Sequence, residues 1–315
     1  MQKNKENYIF ETSFKSLGTD IFLKIIFDIE KNKIKCQEDS EALKNFYVEK
    51  EKIFSRFDLE SELSVVNINL KKSKKVSKDF FRLCKDSLHF CKITNGYFDP
   101  RIIGILEKIG YSEDFKNSDF SKKEIKNNIK FFSKKLEDDL ILKEDEIFLN
   151  ERIDFSGIAK GYITDQAVLF LKEKGWKNFL IDSGGDMFAS GVDEFGSKWK
   201  ISIEGMPEEK FSFDIQNEAV ATSGITRRKW EIDSKRFHHL VNPKNFDKFN
   251  FDLKSVTVVA ENTEEADVWA KVLFLMGKKE GLEFSRKNNI KSFFLDLRGN
   301  LWLAERKENK LNEEK

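Results

Sequence analysis

Cysteine is scarce, long apolar runs are missing, and neither sign of charge dominates. The three cysteines among 315 residues, Cys36, Cys84 and Cys91, are too few and too unpatterned for a disulfide framework or a cysteine-based metal site. A reducing compartment fits that usage best. Nowhere do eighteen consecutive residues stay apolar, and the N-terminus has no apolar segment ahead of a small-residue cleavage site. The expectation is a cytoplasmic protein with no membrane span. Lys plus Arg total 56 against 55 Asp plus Glu, a net charge of +1, which gives no reason to expect nucleic acid or an anionic membrane as partner. There is no internal repeat, and no linker separates domains. Residues 1–306 therefore read as one domain, and 307–315 as a charged, disordered tail.

What is present is a globular composition, 39% hydrophobic and 35% charged, long enough to bury a sizeable core. The 31 phenylalanines are read as core filling rather than a stacking platform. The chain is organised around Ile153 to Asp186, IDFSGIAKGYITDQAVLFLKEKGWKNFLIDSGGD. Ile163, Ala167, Phe170 and Leu171 fall on one stripe of a helix that Gly175 ends. Phe179 to Ile181 suit a buried strand, broken by Ser183 to Asp186. Two glycine turns bracket this helix and strand. They either make tight turns only, or bring backbone N–H groups and a helix N-terminus up to a phosphate, with Lys160 adding charge.

Around this centre, residues 13–30 read as an opening strand, and Asp39 to Phe57 and Val76 to Thr94 as helices. Residues 113–134 look like a polar surface excursion, and Asp138 to Asn150 a hairpin delivering Asp154 to the centre. Trp199 to Ile203, Phe211 to Ile215 and Ser255 to Ala260 read as strands. Asn262 or Thr263 caps a helix carrying Val268, Val272 and Leu275, and a hairpin turning at Arg298 and Gly299 closes the chain. His238 and His239, adjacent on a strand, would face opposite sides, so at most one enters a site.

DFSGIAKGYITD followed by LIDSGGD resembles the central signature of the ApbE family, the FAD:protein FMN transferases, which read D-x-x-G-x-A-K-G-Y-x-x-D and then G-G-D. Five further blocks follow the family's order. They are Leu17-Gly18-Thr19, SRFDLESELSVVN from Ser55, TNGYFDP from Thr94, and ATSGITRR leading to His238, His239 and Pro243. SVTVV with Asp267 completes the series. The resemblance spans Leu17 to about Gly277. It implies an α+β, ApbE-like, T-fold-related architecture with mixed or antiparallel sheets flanked by helices around a deep FAD pocket. The implied activity is transfer of FMN from FAD to a Thr or Ser of a target flavoprotein, with release of AMP and with Mg²⁺.

The resemblance places FAD against Leu17, Phe57, Tyr97, Phe98, Asp99, Asp154, Lys160 and Val241. It puts Mg²⁺ on Asp267 and on carbonyl oxygens near Gly157 and Ala270, with Lys271 at the remaining ligand position. His239, Asp267 and Lys160 are the implied catalytic groups, and Asp186 and Asp165 weaker candidates. Many members of the family are exported lipoproteins, which leaves a trimmed leader as the alternative to a cytoplasmic protein. Three departures stand out. Asn242 replaces an Asp, Asn245 with Phe246 replaces Thr-Gly, and Lys271 replaces a Thr that helps bind magnesium. A protonated ammonium cannot ligate a metal, so Lys271 either points away or supplies part of the metal's charge. An FAD pyrophosphatase and a non-catalytic flavin carrier are the competing readings.

Overall fold

The structure is a computed structural model and describes residues 7–28, 32–113, 115, 119–120, 132, 134–207, 209–246 and 249–305. Strand β1 (Tyr8–Ser16) pairs antiparallel with β2 (Thr19–Phe27). The opening segment is therefore a hairpin rather than the single strand expected from residue 13. Leu17 and Gly18 make its turn at φ 54° and 69°. A two-residue turn with positive φ at both positions matches the strand twist, but it is normally announced by Asn or Gly. A leucine hides it.

Helix α1 (Asn32–Phe54) is followed by α2 (Glu62–Ile68), β3 (Ser73–Lys75) and α3 (Lys78–Ile93). Ser61 and Ser77 cap α2 and α3 through side-chain oxygens that accept from Ser64 N and Phe80 N. A 3-10 turn at Pro100–Ile102 leads into α4 (Ile103–Lys108). After α5 (Leu136–Asp139), the expected hairpin forms from β4 (Leu140–Lys143) and β5 (Glu146–Leu149). Most of the excursion at 113–134 lies outside the described residues, as does the tail at 307–315.

The central stretch folds as α6 (Ala159–Glu173), β6 (Asn178–Ser183) and β7 (Asp186–Ser190), with Gly175 at φ 89° after the helix. Then come β8 (Trp199–Ser202), β9 (Ser212–Ile215), β10 (Glu218–Gly224), β11 (Lys229–Ile232) and β12 (Lys235–His238). Strand β13 (Leu253–Ala260), helix α7 (Thr263–Lys287), β14 (Lys291–Asp296) and β15 (Leu301–Ala304) complete the chain. Within α7, Gly277 at φ 80° and ψ 174° joins two helical stretches.

Among the described residues, eight strands form one antiparallel sheet in the order β1-β2-β6-β7-β10-β13-β14-β15. Strand alternation sorts its side chains between two layers. Ala219 and Ala221 of β10 join the main core beneath the helices, while Val220 faces the β8–β9 hairpin with Trp199, Ile201 and Ile215. Helices α1, α6 and α7 cover the first face. Phe80, Phe155, Phe179, Phe274 and Phe294 are fully buried, so phenylalanine is chiefly core. This is the α+β arrangement of antiparallel sheets and flanking helices implied by the sequence. Among the described residues no helix is long and apolar enough to cross a membrane.

Candidate functional site

The start of α6, the β6–β7 turn, the end of β10 and the first turns of α7 converge on one cleft. Its polar end is a cavity of about 140 Å³ lined by Gly157, Lys160, Asp186, Asp267 and Lys271 together with Thr222, Ser223, Arg228, His239 and Val241. A second cavity of about 420 Å³ shares Thr19, Tyr111, Ser156, Lys160, Arg227 and Arg228 with it and adds Leu17, Arg56, Phe57 and Asp154. One end is thus charged, and the other carries apolar and aromatic surface.

The local fold explains why these groups meet. Gly161 lets α6 cross the start of α7 closely: a Cβ there would lie 2.6 Å from Thr263 O and 2.7 Å from Glu264 Cα. Asp165, one turn further on, accepts from Thr263 N at 2.7 Å and Glu264 N at 2.9 Å, and so caps α7. That crossing sets Asp267 and Lys271 beside Gly157. Gly184, at φ 69°, leaves no room for a Cβ against Thr19, which would stand 2.1 Å away. The tight β6–β7 turn delivers Asp186 to the cleft floor.

Lys160 Nζ donates to Asp186 Oδ2 at 2.5 Å. Burial opposes the Lys160 charge, but the Asp186 and Asp267 carboxylates outweigh it and hold the ammonium above its ordinary pKa. Burial, and then the negative charge of Asp267, push Asp186 up to about 7 against the pull of Lys160. His239 is held well below its usual range by burial and then by the Arg228 charge, so near neutrality it is an uncharged imidazole. Its Nδ1 lies 3.3 Å from Arg228 O, which suits the tautomer with hydrogen on Nδ1 and a lone pair on Nε2. His238, the last residue of β12, faces away and packs among Phe249, Phe251 and Phe274, while His239 lies just past the end of that strand rather than on it as expected.

The oxygens expected to hold magnesium are already engaged. Lys271 Nζ donates to Gly157 O at 2.7 Å and to Asp267 Oδ1 at 3.2 Å. Asp267 Oδ2 is buried without a hydrogen-bond partner, and Ala270, fully buried in α7, is not among the cavity's lining residues. A divalent ion on Gly157 O and Asp267 would meet the ammonium at contact distance. Even two unit charges 4 Å apart repel by about 4 kcal/mol at an effective dielectric of 20. The donor set as folded does not fit Mg²⁺. Among the described residues no cluster of three or more His, Cys, Asp or Glu suits a metal elsewhere.

The fold brings together Leu17, Phe57, Asp154, Gly157, Lys160, Asp186, His239, Val241, Asp267 and Lys271 on the two cavities. It does not bring Tyr97, whose hydroxyl donates to Glu280 at 3.0 Å and whose ring lines a separate groove with Lys244. Phe98 is core, with its ring edge near Gly157. Asp99 is bound to the buried Arg101 at 2.6 Å, which also reaches Asp139 at 2.5 Å. Asp165 is occupied as the α7 cap. Three basic residues, Arg56, Arg227 and Arg228, line the cleft without a role assigned to them from the sequence. The Arg56 guanidinium lies 4.4 Å from the centroids of both Phe57 and Tyr111, with its Nε 3.5 Å from Asp154. Arg227 and Arg228 line both cavities. All three lie inside quoted blocks, Arg56 beside Phe57 and the other two closing ATSGITRR, and that placement was the available signal.

The sequence model of the ApbE family matches residues 17–294. A curated relative from Haemophilus influenzae, named FAD:protein FMN transferase, is 26% identical over 305 residues, covering 92% of this chain and 87% of that protein. The solved flavin transferase ApbE from Vibrio cholerae superposes with a TM-score of 0.75 at 21% identity, over 95% of this chain and 97% of its own. The apo flavinyl transferase ApbE of Pseudomonas stutzeri gives 0.79 at 18% identity, over 96% and 97%. The two solved structures share the fold.

Proposed function

The chain belongs to the ApbE family, and from that premise we propose that it is an FAD:protein FMN transferase, acting as one domain over residues 1–306. The observation that carries the reading is the cleft with two unlike ends. Leu17, Phe57 and Tyr111, with the Arg56 guanidinium, offer apolar and π surface to a flat ring. Lys160, Lys271 and Arg228 gather positive charge where a pyrophosphate would follow.

In the reaction, a Thr or Ser hydroxyl of the target flavoprotein attacks the phosphorus on the FMN side of the pyrophosphate. The new P–O bond forms as the bond to AMP breaks, and AMP leaves with the bridging oxygen. His239, uncharged near neutrality, takes the hydroxyl proton through the nitrogen not engaged by Arg228 O. Lys160, held as an ammonium by Asp186, stabilises the charge that develops on the phosphoryl oxygens. Magnesium is the metal expected of the family, but the donor set here does not fit it. The three cysteines are free thiols, which supports a cytoplasmic setting.

The test is incubation of the protein with FAD, with and without a flavoprotein fragment bearing an acceptor hydroxyl, following AMP and the fragment's mass. A fragment that gains FMN with matching AMP is the expected result. AMP without an acceptor points instead to a pyrophosphatase, and bound FAD with neither product to a flavin carrier.

A further inference from the structure

We propose that the Lys271 ammonium stands in for the divalent cation at the charged end of the cleft, so that this protein transfers FMN without a bound metal ion. The inference rests on the transferase reading and identifies the cation that serves it. The ammonium is bound by the two groups assigned to a metal, Gly157 O at 2.7 Å and Asp267 Oδ1 at 3.2 Å.

Three features hold it there. Asp267 and Lys271 are one turn apart on α7, where i,i+4 side chains meet. The start of α7 is fixed by the Asn262 cap, which accepts from Glu265 N at 2.9 Å, and by the Asp165 carboxylate. Gly157 supplies the space, since a Cβ at that position would lie 3.1 Å from Lys271 Nζ. The lysine side chain is 16% exposed and lies on the cavity wall, so its charge faces whatever occupies the cleft.

Four cationic side chains, Lys160, Arg227, Arg228 and Lys271, line the cavity against three carboxylates, Asp186, Glu204 and Asp267, which leaves net positive charge for a pyrophosphate diester. The group transfer needs no co-reactant beyond FAD and the acceptor hydroxyl: one P–O bond forms, one breaks, and the proton goes to His239. A threonine at 271 would withdraw the ammonium and release Gly157 O and Asp267 Oδ1 to a metal.

Two measurements test this. The first titrates Mn²⁺ into FAD-loaded protein without acceptor and reads free Mn²⁺ by electron paramagnetic resonance. The second follows FMN transfer in excess EDTA and in added Mg²⁺. Expected are no stoichiometric Mn²⁺ site in the wild type, one site per chain in Lys271→Thr, and wild-type transfer that changes by less than about twofold on chelation. Lys271→Thr should lose about tenfold or more in EDTA and recover with Mg²⁺. One Mn²⁺ per wild-type chain, or wild-type transfer that stops in EDTA and returns with Mg²⁺, overturns the proposal. If no transfer occurs under any condition, the transferase reading fails, while Mn²⁺ binding still decides whether Lys271 excludes the metal.

Discussion

Glu264 is a buried carboxyl at the start of α7 whose Oε1 has no hydrogen-bond partner. Burial, and then the charges of Asp86 and Asp165, raise its pKa from 4.5 to about 9. Between those values the folded protein keeps a proton that the unfolded chain has released, so this residue makes stability fall as pH rises through the window. The slope has an upper bound of about 1.4 kcal/mol per pH unit. Glu264→Gln keeps a donor toward Asp86 and removes the titration. The variant should be more stable than wild type by about 1 to 3 kcal/mol at pH 8, and equal to it near pH 5, by urea denaturation at each pH. At this scale the sequence was legible in part. Ordered motifs named Lys160, His239, Asp267 and Leu17, which share the cleft, but also Asp99 and Tyr97, which are engaged elsewhere. A motif orders residues along the chain and does not say whether a carboxylate faces a cavity or an arginine such as Arg101.

Elements were easier to read than their junctions. The stripes of α3 and α6 and the run of β6 follow directly from side-chain period, whereas the β1–β2 turn escaped because a leucine occupies a left-handed position. The decisive junction is the α6–α7 crossing at Gly161, invisible in sequence because its partner lies a hundred residues away. Gly161→Ala forces backbone against backbone there, and neither helix can yield without shifting Asp267 and Lys271. The expected outcome is a loss of about 1 to 3 kcal/mol in stability. FAD affinity should fall with it, as read by flavin fluorescence titration at a temperature where the variant remains folded. An unchanged affinity would mean that the crossing does not position the charged end.

At the scale of the whole molecule, the cleft is built from segments that run from Thr19 to Lys271. A ligand bridging both ends should therefore stabilise the fold as a unit. At a hundredfold excess over its dissociation constant, FAD is expected to add about 2.7 kcal/mol, visible as one cooperative shift of the thermal transition rather than a second step. Riboflavin, which lacks the pyrophosphate, should give a smaller shift. The strand order carries one more consequence, for how the chain is made. Strand β2 finds its sheet partner β6 only about 150 residues later, and the inner strands β10, β13 and β14 come later still. A ribosome therefore releases the hairpin of β1 and β2 with its β6-facing edge open well before the neighbour that covers it exists. Such long-range pairing makes for slow folding and for a nascent chain prone to pair with the wrong edge. Synthesis of this protein should lean on chaperones until the second half of the chain has emerged.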